Sequence, residues 1–254
     1  MLRLLSYLIQ NGVVTNKKLP DELEDQTLLG FPNVRSNNCK ESCSQCIEVC
    51  PTDAISRTES DGLVVDRGAC ITCAQCIATC PEKILSNDLS TATYAYRRED
   101  LLFTANNKPA QPLSETERSN LFLSSFAVRV VSTGCSACDL ELSAANNPIF
   151  DAERFGIHVV ASPRYADALV VTGPVPKAMH HALKSCYDAM PDPRIVIACG
   201  SCAISGGVHK HGYAEANGVQ NIIPVDLFIP GCPPHPLQLL RGLQAARQLA
   251  GRNR

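Results

Sequence analysis

Along the second half of the chain, short apolar runs alternate with longer mixed segments: "FAVRVVS", "IHVVA", "DALVVTG", "RIVIACG" and "VDLFIPG" recur in that order. The runs are rich in β-branched residues and are not interrupted by regularly alternating polar positions. They read as strands buried on both faces of a parallel sheet with helices on either side. Helices are predicted over residues 177–190 and from 236 to about 249, each with a proline near its first turn. The first half has a different rhythm. There "ISRT" and "LVVD" flank "ESDG", and Asp61 and Gly62 predict a hairpin turn. Between the halves, "ANNKPAQPLSETERSN" is polar and broken by proline, with a capping box at Ser114 and Glu117 and a short helix from about Glu115.

This pattern divides the chain into an amphipathic segment (1–30), a small α+β domain (31–90), a surface linker (91–120) and an α/β domain (121–254). The opening "MLRLLSYLIQ" sets Leu2, Leu4, Leu5, Leu8 and Ile9 at helical spacing but has one arginine and no small-residue cleavage site. It reads as an amphipathic helix for its own domain, a membrane-bound partner or lipid, rather than as a signal peptide. No apolar run approaches the roughly eighteen residues of a membrane span. A length of 254 residues with 45% hydrophobic and 19% charged residues fits a soluble globular chain of two modest domains. A net charge of -2 supplies no basic field, so nucleic acid is not an expected partner.

The 14 cysteines change the picture most. Without a secretion signal a reducing compartment is expected, and the four cysteines between positions 39 and 50 are too crowded for unstrained disulfides. Metal ligation is the better account. "CSQCIEVCPTDAI" from Cys43 repeats as "CAQCIATCPEKIL" from Cys73. With the upstream cysteines the two units read Cys39, Cys43, Cys46, Cys50-Pro51 and Cys70, Cys73, Cys76, Cys80-Pro81. Closely spaced cysteines wrap one iron-sulfur cluster while the cysteine before proline reaches the other. A zinc site needs only two cysteine pairs and leaves the third cysteine and the Cys-Pro step unexplained.

These residues resemble bacterial-type ferredoxins with two 4Fe-4S clusters, over about residues 35–90. The resemblance implies one cluster on Cys39, Cys43, Cys46 and Cys80 and another on Cys70, Cys73, Cys76 and Cys50. Three residues, "KES", separate Cys39 from Cys43 where the usual pattern has two, so the first ligand loop must bulge.

In the α/β half, Cys135 and Cys138 follow the first apolar run, Cys202 the fourth and Cys232 the fifth. In a parallel sheet these positions share the carboxyl edge, where open α/β folds build their sites, and four thiolates there can converge on a third cluster. Cys199 competes with Cys202, which lies farther out on its loop. Cys186, on a predicted helix, reads as a small buried hydrophobe. Glycine and proline around Cys232 in "IPGCPPHP" predict a stiff loop against the cluster. His180 and His181 read as solvated.

"GCSACDLE", "SPRYADALVVTGPV", "SCAISGG" and "IPVDLFIPGCPP" resemble the small subunit of membrane-associated nickel-iron hydrogenases of the formate hydrogenlyase type, and its homologue in respiratory complex I. The resemblance covers about residues 120–250. It implies a flavodoxin-like domain with a proximal 4Fe-4S cluster on Cys135, Cys138, Cys202 and Cys232, making three 4Fe-4S clusters in the chain. The quinone-reducing branch is expected to have adjacent cysteines where this chain has "CSAC", which favours the hydrogenase branch. Fusion to a ferredoxin departs from both usual arrangements, where the ferredoxin is a separate subunit.

The implied function is that of an electron-transfer subunit of an oxidoreductase, with no catalytic residue of its own. It would relay single electrons to or from a hydrogenase-type large subunit, and exchange them with a donor or acceptor protein, in a multisubunit complex on the inner face of the cell membrane. Two alternatives stand beside it: the same subunit of a quinone-linked or nickel-free related complex, and a protein whose clusters are structural. Asp139 and Glu141 are candidates for a proton relay or simply for helix-dipole partners. Arg164 is a candidate contact to the proximal cluster, or a surface ion pair.

Overall fold

A computed structural model describes Ser6 and residues 18–251, except 26, 37, 38, 41, 59–61 and 106–112. The predicted helix carrying Leu2, Leu4, Leu5, Leu8 and Ile9 lies outside the described residues. Among the described residues no helix is long and apolar enough to cross a membrane.

The smaller half is built on the repeat. Strand β1 (Phe31–Val34) pairs antiparallel with β4 (Leu85–Asp88), and β2 (Ile55–Thr58) with β3 (Gly62–Asp66). Helices α1 (Gln45–Glu48) and α2 (Gln75–Thr79) occupy corresponding places in the two units. Val34, Ile55, Leu63, Val65, Ile84 and Leu85 form the apolar floor under the cysteines. The strands flank the expected hairpin with Thr58 opposite Gly62; the turn itself lies outside the described residues.

The segment expected as a surface linker is partly built into the fold. Strand β5 (Leu102–Phe103) adds to β3, with Val65 opposite Phe103, and Ala95 bridges to Phe228 of the larger half. The reason is a buried cation. Arg67 is 3% exposed; its guanidinium lies 3.5 Å from the Phe103 ring centroid and donates to Asp88 Oδ2 at 2.6 Å. A buried guanidinium is tolerated only with such partners, and Phe103 brings one from the connector. Farther on, Ser114 N donates to Glu117 Oε2 at 2.8 Å, and the capping box opens a single 3-10 turn, Glu115–Glu117.

The larger half is a five-stranded sheet of β6 (Phe126–Ser132), β7 (Ile157–Val159), β8 (Ala168–Thr172), β9 (Ile195–Cys199) and β10 (Leu227–Ile229). All pairings are parallel and the order is β10-β9-β8-β6-β7, the flavodoxin-like arrangement. Alternate residues serve opposite faces. Phe126, Val128, Val170 and Ile197 join one apolar layer, while Leu169, Val171, Val196 and Ala198 join the other, so β8 and β9 are buried on both faces. Helices α3 (Ala137–Ala144), α4 (His180–Asp188), α5 (Ser201–Ser205) and α6 (Pro236–Ala246) complete the domain. The helix predicted from residue 177 begins as a 3-10 turn, and the last one stops at Ala246, earlier than expected.

The halves dock through the ligand-bearing segments. Ser201 Oγ donates to Cys70 O at 2.6 Å and Ser205 Oγ to Gly68 O at 3.1 Å. A Cβ on Gly68 would lie 2.8 Å from Ile204 Cγ2 and 2.9 Å from Cζ of Arg98, which is itself held by Asp66. Gly68→Val is therefore expected to overpack this contact and lower stability by about 1–3 kcal/mol. The check is the unfolding midpoint of the purified chain; a midpoint equal to the native one would remove Gly68 from the docking surface.

Candidate metal centres

The twelve candidate ligands fall into three neighbourhoods. In the first, burial pushes the Cys46 thiol up in pKa, and its interacting neighbours are Cys39, Cys80 and Cys43. In the second, burial pushes Cys70 up to about 12, with Cys76, Cys50 and Cys73 adding to the effect. Cys76 is pushed up to about 11 by burial, and Cys46 is among its neighbours, so the two sets adjoin through α1 and α2. A pocket beside β1 is lined by Cys50, Cys70, Cys73 and Cys76 with Ile55 and Ile71. Ligation needs thiolates, so loading these sites would displace the protons that burial retains.

The backbone around the second set is shaped to face sulfur. Asp53, Thr72 and Ala74 hold positive φ of 51°, 54° and 58° without being glycine. Thr72 N donates to Cys70 Sγ at 3.4 Å and Ala54 N to Cys50 Sγ at 3.3 Å. Left-handed backbone outside glycine costs free energy and persists where the surroundings over-determine it.

The third neighbourhood lies beyond the carboxyl ends of β6, β9 and β10. Cys202 is pushed up to about 12 by burial, with Cys232, Cys135 and Cys138 as neighbours; Cys232 in turn has Cys138 and Cys135. Bare backbone makes room for the sulfurs. Gly200, at φ 88° and ψ 156° in a region open almost only to glycine, would carry a Cβ 2.5 Å from Cys138 Sγ. Gly207 (φ 51°) would place one 3.0 Å from Cys202 Sγ. Four thiols on rigid elements around glycine-lined space are a donor set suited to a 4Fe-4S cube. Among the described residues no three His, Cys, Asp or Glu side chains close on a single-ion position. A cube does not ask for that, since it takes its thiolates at separate corners.

Cys199 is fully buried at the end of β9. Its thiol is hydrogen-bonded to Cys138, which pushes Cys199 well up and draws Cys138 down. Cys199 lies at the buried strand end against Cys138, while Cys202 has Cys232, Cys135 and Cys138 as neighbours. Cys186 is half-buried on α4 against the second apolar layer.

The remaining candidates are distributed otherwise than expected. Arg164 is exposed on a 3-10 turn, Pro163–Tyr165, that precedes β8. Asp139 uses both oxygens to join adjacent strands, accepting from Ser132 Oγ at 2.5 Å and Thr172 Oγ1 at 2.6 Å. That is a clamp across β6 and β8. Glu141 lines a cleft between the halves with Thr72, Gly231, Pro233, His235 and Gln238. His181 is exposed, but His180 is half-buried with Nε2 out of contact with solvent. Sequence reading missed Ser201 and Arg57. Ser201 lay in plain view beside Cys202, but its partner, Cys70 O, is 131 residues away.

Residues 135–246 match the family described as the NADH ubiquinone oxidoreductase 20 Kd subunit, and residues 38–85 match a 4Fe-4S dicluster domain. The chain is 46% identical over 123 residues to formate hydrogenlyase subunit 7 of Escherichia coli, covering 48% of this chain and 48% of that one. It thus spans about half the length of that relative. It is 48% identical over 117 residues to the uncharacterized protein MJ0516 of Methanocaldococcus jannaschii, covering 46% of this chain and 78% of that one. It is 46% identical over 123 residues to the probable membrane-bound hydrogenase subunit mbhJ of Pyrococcus furiosus, covering 48% and 74% respectively.

Gly200→Ala is expected to drive a methyl against Cys138 Sγ and to force a backbone that alanine avoids. If the proximal set holds one of three clusters, iron content should fall by about a third, with the other signals intact. Iron analysis with low-temperature paramagnetic resonance checks this; full iron in the variant would show that the glycine cradle is dispensable.

Proposed function

The chain belongs to the family of the NADH ubiquinone oxidoreductase 20 Kd subunit, here carrying a 4Fe-4S dicluster domain on the same polypeptide, and on that premise we propose that it relays electrons through three 4Fe-4S clusters. The sets are Cys39, Cys43, Cys46 and Cys80; Cys50, Cys70, Cys73 and Cys76; and Cys135, Cys138, Cys202 and Cys232. Its partner is a hydrogenase-type large subunit that carries the catalytic centre, within a membrane-associated complex that the chain joins peripherally from the cytoplasmic side. Bound clusters would supply one-electron redox capacity at potentials set by charge, hydrogen bonding and exposure.

One observation carries the reading: the buried Ser201 hydroxyl donates to the carbonyl of Cys70, in the second set, from the residue directly before Cys202, in the third. The chain's own backbone thereby holds two ligand loops side by side, as a relay requires. The third set also opens outward. Cys135 is exposed, and Leu140 on the adjoining helix is 69% exposed, an apolar outlet of the kind a partner subunit covers. Purely structural clusters would need neither feature. The spacing of Cys135 and Cys138 supports the hydrogenase branch over the quinone-reducing one.

Anaerobically purified chain is expected to contain about twelve iron and about twelve acid-labile sulfide. Finding about eight of each, with the small domain fully loaded, would refute the third cluster. Cys202→Ser should remove only the proximal signal and stop electron delivery, whereas Cys199→Ser, which retains a donor toward Cys138, should keep both. The reverse result would assign the ligand to Cys199. Copurification of a nickel-containing large subunit tests the partner, and its replacement by a nickel-free relative would move the chain to the alternative branch.

A further inference from the structure

The two units of the repeat differ where the first ligand loop carries an extra residue. A turn contact, Cys43 N donating to Lys40 O at 3.0 Å, lies within this loop, and three residues separate Cys39 from Cys43 where two separate its counterpart Cys70 from Cys73. Arg57, on β2, reaches across this turn. Its Nη2 donates to Cys39 Sγ at 3.1 Å and to Cys43 O at 2.9 Å. The corresponding position in the second unit, thirty residues on, is the neutral Asn87. Its side chain turns the other way, accepting from Gly30 N at 2.7 Å and donating to Leu28 O at 2.9 Å. Sulfurs of the second set accept instead from backbone amides, Thr72 N on Cys70 and Ala54 N on Cys50. A cation on a ligand sulfur therefore accompanies the lengthened loop and is missing at the matching place in the unit without it.

We propose that Arg57 is a positioning residue for the first set: it fixes Cys39 in the lengthened loop, and it holds the reduction potential of the cluster bound there above the value that amide donors alone would give. The proposal rests on the reading that Cys39, Cys43, Cys46 and Cys80 hold a 4Fe-4S cluster. The physical cause is charge. Reduction adds one electron to the cluster and makes or breaks no bond, so a cationic donor to a thiolate stabilises the reduced form more than the oxidised one. A guanidinium also has two hydrogens on one nitrogen, enough to serve the sulfur and the carbonyl together.

The test compares native full-length chain with Arg57→Met, Arg57→Lys and Cys43→Ser, all purified anaerobically. Potentials come from dithionite titration followed by paramagnetic resonance, and lability from iron release to a ferrous chelator. The cluster whose signal disappears in Cys43→Ser identifies the site. In Arg57→Met that cluster alone is expected to shift by about tenfold in its reduced-to-oxidised ratio at fixed poise, ~59 mV downward for a one-electron couple, and to lose iron several-fold faster. Arg57→Lys keeps the charge without the fork. It is expected to recover most of the potential while still losing iron faster than native, and it decides the matter should the methionine variant not hold the cluster. An unchanged potential in both variants, or equal shifts at all clusters, overturns the proposal. Survival of every native signal in Cys43→Ser overturns the underlying ligand assignment as well, and so separates the two failures.

Discussion

The structure depends on one buried hydrogen bond between its halves. Ser201 is 1% exposed, and its single hydroxyl proton serves Cys70 O at 2.6 Å, with Gly231 O at 3.1 Å as the alternative acceptor. Ser201 N meanwhile donates to Gly231 O at 2.9 Å. One residue thus fixes the backbone at Cys70, Cys202 and Cys232, because each of those cysteines is either the acceptor or the next residue along. Without that hydroxyl the Cys70 carbonyl would lose this buried donor, and leaving such a group unpaired is costly. Two domains that fold on separate apolar cores are brought into register by a polar contact at their ligand loops.

Around that contact, rigidity comes from backbone rather than from bulk. Gly200 and Gly207 keep space clear beside Cys138 and Cys202, and Cys199 is buried at the end of β9 against Cys138. Asp139 ties Ser132 to Thr172, the paired ends of β6 and β8, directly under the Cys135–Cys138 turn. This is the point where strand order reverses in the sheet, and loops leaving neighbouring strands there diverge to form a crevice. The acid next to Cys138 therefore stiffens the crevice floor.

The connector shows how a buried charge can recruit chain that looks like spacer. Arg67 needs an anion and aromatic cover; Asp88 supplies the first, and Phe31 and Phe103 the second. Phe103 arrives on a strand of two residues, while Arg98 from the same connector forks onto Asp66 at 2.8 Å and 2.5 Å. Ala95, Arg98 and Phe103 thus belong to the joint between the domains.

Much of this was written locally. Apolar runs without regular polar alternation specify a two-sided parallel sheet because both faces are covered. The thirty-residue repeat specifies two matched ligand units because cysteine spacing and the Cys-Pro step are properties of consecutive residues. What local pattern could not hold were relations between distant residues that chemistry alone does not single out. Cys199 and Cys202 have the same thiol, and only the strand end and the helix turn decide which one joins Cys135, Cys138 and Cys232. Arg164 and Arg57 carry the same charge, but the first stands on an exposed turn before β8 while β2 brings the second to Cys39. Residue type and spacing fix which groups are able to bind a cluster. Strand direction and the docking of the two halves fix which of them meet, because that depends on where the chain returns.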